Sequence, residues 1–221
     1  MITRRTVLMS TASVVALGAL GSIGVVDLFG LFGGTAEAQT FSVLELEAKG
    51  PLEDIPMGAE NAPVTIIEYA SMTCPHCAAF EAQTFPKLKE KYIDTGKVRY
   101  IMREYPLDRL AAAAFMVARC AGPDKYNPLI ETLFAQQQKW AVREPIPPLL
   151  AIAKQAGFTQ ESFEACINDK ELLTKVQEER DIASKKFKVD STPTFFINGE
   201  KHAGAMSIEE LDKILAPLIK S

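Results

Sequence analysis

The sequence predicts an α/β fold: a small sheet whose chain is interrupted by an inserted all-helical lobe. Three observations predict it. The apolar run from Val64 to Ala70 leads through Cys74-Pro75-His76-Cys77 into an amphipathic run, and a second, alternating strand-like segment follows from Val98 to Glu104. The stretch from about 107 to 187 is then helical in pattern throughout. After it come a β-branched and aromatic run, Thr194 to Ile197, an Asn198-Gly199 hairpin signal and a closing helix.

The chain has 221 residues, is 48% hydrophobic and 24% charged, and carries a formal charge of −4. These values describe an ordinary globular protein. No basic cluster points to nucleic acid, and no internal repeat or low-complexity segment is present. The N-terminus is distinct. Arg4 and Arg5 precede an apolar, small-residue run from Val7 to Phe32, and Ala36-Glu37-Ala38 has the small-x-small form of a cleavage site. Residues 1–38 therefore read as a signal peptide, leaving a mature domain of 39–221. Thr3-Arg4-Arg5-Thr6-Val7-Leu8 also resembles a twin-arginine signal, with Val7 where phenylalanine is usual, so Sec and twin-arginine export both stand. An uncleaved membrane anchor is the competing reading, and Asp27 within the apolar run counts against it. Each reading puts the bulk of the chain outside the cytoplasm, where disulfides persist.

Down the mature chain, Phe41 to Leu46 reads as a short edge strand. Val64 to Ala70 reads as a buried central strand. Glu68 is the anomaly within it, because a buried carboxylate is costly unless paired or protonated. It is read either as reaching water at a rim or as a buried acid beneath the cysteines with a raised pKa. The helix opened by the cysteines is expected to run to about Asp94, where Thr95-Gly96 ends it. Its length permits a right-handed parallel crossover to the strand at Val98 to Glu104. The inserted lobe is expected to hold helices at Leu110 to Ala121, Pro128 to Trp140, Pro148 to Ala156, Gln160 to Asn168 and Lys170 to Lys186. A proline-rich loop at Pro145, Pro147 and Pro148 divides them. Trp140 is expected in the lobe's core. Ser207 and Glu210 form a capping box for the last helix, and His202 is expected to do nothing beyond the surface.

The cysteine motif carries the chemistry. Cys74 is placed at a helix N-terminus, where free N–H groups and the macrodipole favour a thiolate. Pro75 suits the first turn because its missing N–H had no helical partner. His76 is expected to offer Cys74 a hydrogen bond or a positive charge. A stabilised thiolate is a good leaving group, so a Cys74–Cys77 disulfide is expected to be oxidising, with Cys77 as the resolving thiol. The rival reading, half of a zinc site, lacks a second ligand pair: the other candidates Cys120, Cys166 and His202 have no partner spacing. In an exported chain the even cysteine count favours a structural disulfide between Cys120 and Cys166, against two buried free thiols. Closing that loop of about 45 residues contributes roughly 4 kcal/mol at most.

Strand, Cys-Pro-His-Cys, helix, strand, helical insert, Thr192-Pro193, hairpin and helix in this order resemble the DsbA-like branch of the thioredoxin superfamily. The resemblance covers nearly the whole mature chain and rests on the run Glu68 to Phe80, on Thr192-Pro193 and on the inserted lobe. It implies a thioredoxin-like fold with an all-helical lobe inserted at about 107–187. It also implies an exported thiol:disulfide oxidoreductase: Cys74 attacks, Cys77 resolves, and Glu68 matches the family's buried acid. Pro193 would be cis, holding the Thr192 backbone beside the Cys74 sulfur to bind an extended substrate. The expected partners are unfolded exported proteins and a quinone-linked membrane reoxidase, with no bound cofactor or metal. Two features depart from the pattern. The best-known oxidase of the family has valine where Thr192 stands, and the pair Cys120 and Cys166 resembles a subgroup with a second disulfide in the lobe. An isomerase or reductase kept reduced by a membrane partner is the alternative, as is a peptide-binding or chaperone module. The short leader from Gln39 to Ala62 leaves little room for a dimerisation domain and favours a monomer, and Cys77 argues against a related detoxifying branch that lacks it.

Overall fold

The computed structural model describes residues 39–219, so the expected signal segment and its cleavage site lie outside the described residues. The first of these residues cover a sheet edge. Thr40 bridges Glu200, the Gln39 carbonyl accepts from the Lys201 amide at 3.0 Å, and the Phe41 amide donates to the Gly199 carbonyl at 2.8 Å. The edge strand expected through Leu46 stops there. A one-turn helix, α1 (Val43–Leu46), replaces it. The physical reason is that the covered edge ends at the hairpin. Phe41 is held by the rings of Phe187 and Phe196, and the chain must turn to bury Leu46, leaving Leu44 85% exposed. Gly199 permits the close approach: its φ is +93°, and a Cβ would lie 2.4 Å from the Phe41 carbonyl oxygen.

Strand β1 (Val64–Ala70) is central and buried almost throughout, as its unbroken apolar run demands. Helix α2 (Pro75–Gln83) follows, then α3 (Phe85–Leu88) and a π-helical turn, Lys89–Ile93. One continuous helix was the expectation. Pro86 cannot donate to the preceding turn, and the Thr84 hydroxyl instead donates to the Met206 carbonyl at 2.9 Å, fixing the break. Strand β2 (Val98–Glu104) pairs parallel to β1, with Val64 opposite Val98.

Five further helices and a short sixth form the insertion: α4 (Arg109–Cys120), α5 (Pro123–Ala135), α6 (Gln137–Trp140), α7 (Ile146–Gln155), α8 (Gln160–Ile167) and α9 (Lys170–Lys186). Helix α5 starts earlier than expected because Pro123 occupies its first turn behind Gly122. Pro147 and Pro148 lie in the first turn of α7, where a missing N–H costs nothing, rather than in a loop. Strands β3 (Thr194–Ile197) and β4 (Glu200–Ala203) make the expected hairpin, and α10 (Ile208–Ile219) closes the described chain. Its capping box is present: the Ser207 amide donates to the Glu210 carboxylate at 2.8 Å, and the Glu210 amide to the Ser207 hydroxyl at 3.2 Å. The sheet order is β2-β1-β3-β4, with β3 antiparallel to both its neighbours.

Both sheet faces are covered. Ile66, Ala70, Tyr100 and Met102 join a core that continues into the inserted lobe through Phe115, Tyr126, Leu133, Trp140 and Phe163. Ile67, Tyr69 and Ile101 pack on the other side against Ala183 and Phe187, where α9 returns across the sheet. The alternation of β2 therefore does not expose one face. Its last two charged residues are buried in pairs: Arg103 grips Asp54 with two bonds of 2.8 Å, and Arg119 donates to Glu104 at 2.6 Å. Among the described residues no helix is long and apolar enough to cross a membrane.

Candidate active site

Cys74 is the N-cap residue of α2, in extended conformation, with Pro75 in the first helical turn. The Cys74 and Cys77 side chains are buried and free, while Pro75 and His76 are exposed. The loop before them is pinned from several sides. The Cys74 amide donates to the Ser71 carbonyl at 3.0 Å. The Thr73 hydroxyl donates to Asp108 at 2.6 Å, and Asp108 in turn caps α4 by accepting from the Ala111 amide. From the inserted lobe, the buried Gln137 amide donates to the carbonyls of Met72 and Cys74, at 2.9 and 3.0 Å.

The electrostatics separate the two sulfurs. The Cys74 thiol is lowered to about 5, first by the hydrogen bond from Cys77 and then by the backbone N–H groups of Cys77 and His76; burial opposes the shift. Burial pushes Cys77 far up, and the neighbouring Cys74 and Glu68 charges push it the same way. Glu68 is 2% exposed, so the rim reading fails. Burial raises its carboxyl to about 8 although the Tyr100 hydroxyl donates to it, and the Cys74 charge adds to the rise. Glu81, on the turn of α2 after Cys77, is raised to about 9 by burial and by the charges of Glu68 and Glu131.

Across the site the Thr192-Pro193 peptide is cis, and the Cys74 thiol donates to the Thr192 carbonyl at 3.2 Å. The Thr192 hydroxyl is buried without a hydrogen-bond partner. His76 differs from expectation. Its ring is on the exposed rim and makes no hydrogen bond to the sulfur; it is the backbone N–H, presented by the helix turn, that acts on Cys74. Cys120 and Cys166 lie elsewhere and are bonded to each other, joining the end of α4 to α8 across a Cα–Cα distance of 6.2 Å. That bond removes both from any zinc set. His202 lies on β4 opposite Phe195 and is half-buried rather than on the surface.

Sequence reasoning named neither Tyr100 nor Gln137, because neither carries a local signal. Asp108 was readable: an aspartate ahead of an alanine-rich helix is an N-cap by residue type.

The thioredoxin family model matches residues 52–216. A Rickettsia bellii relative, named for protein-disulfide oxidoreductase activity, is 33% identical over 165 residues, covering 74% of this chain and 62% of the relative. The chain thus spans about three fifths of the length of that relative. A Bacillus anthracis relative, named as disulfide bond formation protein D, is 30% identical over 153 residues, covering 65% of this chain and 69% of the relative. The crystal structure of alpha-DsbA1 from Wolbachia pipientis is similar with a TM-score of 0.74 at 34% identity, covering 80% of this chain and 95% of that one. The chain belongs to the DsbA-like thiol:disulfide oxidoreductases of the thioredoxin superfamily. In this DsbA-like chain the helical lobe supplies Gln137 to the cysteine loop, so the insertion and the sheet build the site together.

Proposed function

We propose that the protein is exported, loses residues 1–38, and works in the periplasm as a monomeric dithiol oxidase that introduces disulfides into unfolded exported proteins. The observation that carries this reading is the asymmetry of the pair: Cys74 held as a thiolate at neutral pH, Cys77 held as a thiol. In the oxidised enzyme a substrate thiolate attacks the Cys74 sulfur. The Cys74–Cys77 bond breaks, its electron pair goes to Cys77, and Cys77 takes up a proton. Glu68, protonated at neutral pH, is the proposed source of that proton. The second substrate thiolate then attacks the substrate sulfur of the mixed disulfide and expels Cys74 as its stable thiolate. Two electrons pass from substrate to enzyme, and a quinone-linked membrane partner removes them in the next cycle. The Thr192 backbone beside Cys74 is the proposed rest for the extended substrate, with Pro193 shaping that loop. The Cys120–Cys166 bond is assigned a structural role.

The test is the reduction potential of the Cys74–Cys77 pair against glutathione. A value near about −120 mV, which is that of DsbA itself, supports the oxidase. A value near about −270 mV, which is that of thioredoxin, replaces it with a reductase or isomerase kept reduced by a membrane partner.

A further inference from the structure

A groove of about 560 Å³ adjoins the cysteine loop on its Thr73 side. Met116 of α4, Ile167 of α8 and Leu173 of α9 supply its apolar lining, Leu107 stands half exposed at its mouth, and Arg109 and Arg180 border it. Its one lining carboxylate, Asp108, is already engaged: one oxygen accepts from the Ala111 amide and the other from the Thr73 hydroxyl. Among the described residues no carboxylate pairs with Arg109. Arg180 lies over the Tyr105 ring at 5.6 Å, with Asp181 beside it committed to Lys185. The groove is therefore a locally cationic, apolar slot on a chain of net charge −4.

Position ties it to the chemistry. Thr73 directly precedes Cys74, and the Leu107 amide donates to the Ser71 hydroxyl at 3.2 Å, so the slot's mouth and the cysteine loop are hydrogen-bonded to each other. A polypeptide lying across Cys74 has its flanking residues within reach of the slot. A small thiol such as glutathione reaches the sulfur without filling it.

We propose that this groove is a second substrate subsite, which takes an apolar side chain of an unfolded substrate flanked by a carboxylate. The apolar residue fills the space between α4 and α9, and Arg109 and Arg180 hold the acid. The proposal rests on the oxidase reading for the identity of the occupant, but the groove's preference is measurable without any redox step.

The experiment uses two labelled peptides in which serine replaces cysteine. They share an apolar residue and differ in an acidic or basic flank. Fluorescence anisotropy then measures their binding to the protein and to the R109E/R180E and R109Q/R180Q variants, both at exposed positions. The expected result is preference for the acidic peptide, a loss of about tenfold or more with R109E/R180E, a smaller loss with R109Q/R180Q, and a gain for the basic peptide with the reversed charges. The same peptides carrying cysteine should show the same order in oxidation rate, with glutathione oxidation unchanged. Equal binding of both peptides to wild type and variants overturns the subsite. So does unchanged peptide binding with slowed reoxidation by membranes, which would make the reoxidase the occupant. A thioredoxin-like potential would sink the oxidase reading while leaving the binding result to judge the groove alone.

Discussion

The two cysteine pairs of this protein share a chemistry and differ in everything around it. Cys74 begins a helix, so N–H groups converge on its sulfur and its negative charge is welcome. Cys120 ends one, where carbonyls point outward and a thiolate is disfavoured. The partners of the first pair are three residues apart on one turn; those of the second are separated by 46 and bonded to each other. Buried titratable groups, Glu68 and Tyr100, act on the first pair, while the second lies between α4 and α8 with the Met116 carbonyl beside Cys166. The position of each cysteine on its helix thus adds to what its partner does: at the start of α2 the N–H groups join the hydrogen bond from Cys77 in lowering the Cys74 thiol, while at the end of α4 Cys120 is bonded to Cys166.

The largest effect that would break this contrast concerns activity. Cys74→Ser should reduce thiol exchange with a model peptide to background, with the urea midpoint hardly moved; residual exchange would mean that the second pair also reacts. In the other direction, C120A/C166A should leave exchange intact. The double variant should lose up to about 4 kcal/mol of stability, the loop-closure value for a span of 46 residues, as measured by urea unfolding. Gln137 ties the helical lobe to the loop that carries Cys74. Gln137→Leu takes its donor from the buried Met72 carbonyl, leaves the Cys74 carbonyl only the Ala78 amide at 3.2 Å, and should cost about 1–3 kcal/mol, with faster amide exchange confined to the loop before Cys74. The effect that depends on pH is that of Glu68. Its folded pKa lies above the unfolded value of 4.5, so its protonated form favours folding. That stability is fully present below pH 4.5 and declines as pH rises toward about 8, at roughly 1.4 kcal/mol per pH unit. Glu179, raised to about 7 by burial, has the same sign, so the wild-type slope contains both. The difference between wild type and Glu68→Gln isolates Glu68: it should grow from pH 5 to 8 in favour of the variant, and a flat difference would refute the raised pKa.

Much of the fold was legible because its signals are local. The apolar run at Val64 to Ala70, the Asn198-Gly199 turn and the Ser207 capping box each act within a few residues, and each formed as read. The failures were also physical. Phe41 to Leu46 has strand-like composition, but the edge it would pair with ends at Gly199. Pro147 and Pro148 look like a loop until the chain places them in a first turn. Val98 to Glu104 alternates, yet α9 covers the face that alternation would have exposed.

By itself the sequence determined that a Cys-Pro-His-Cys motif would open a helix after a buried strand, since strand, cap and first turn are set by adjacent residues. It favoured a distant pairing of Cys120 with Cys166 over two free thiols, and the tertiary structure decided it. Only the tertiary structure decided what surrounds the Cys74 sulfur. Thr192 is 118 residues from Cys74, Tyr100 is 32 from Glu68, and Gln137 is 63 from the carbonyl it holds. Those distances close only when the sheet pairs β1 with β2 and β3 and the helical lobe folds back onto the loop. No local propensity encodes such meetings, because their free energy is that of the whole core.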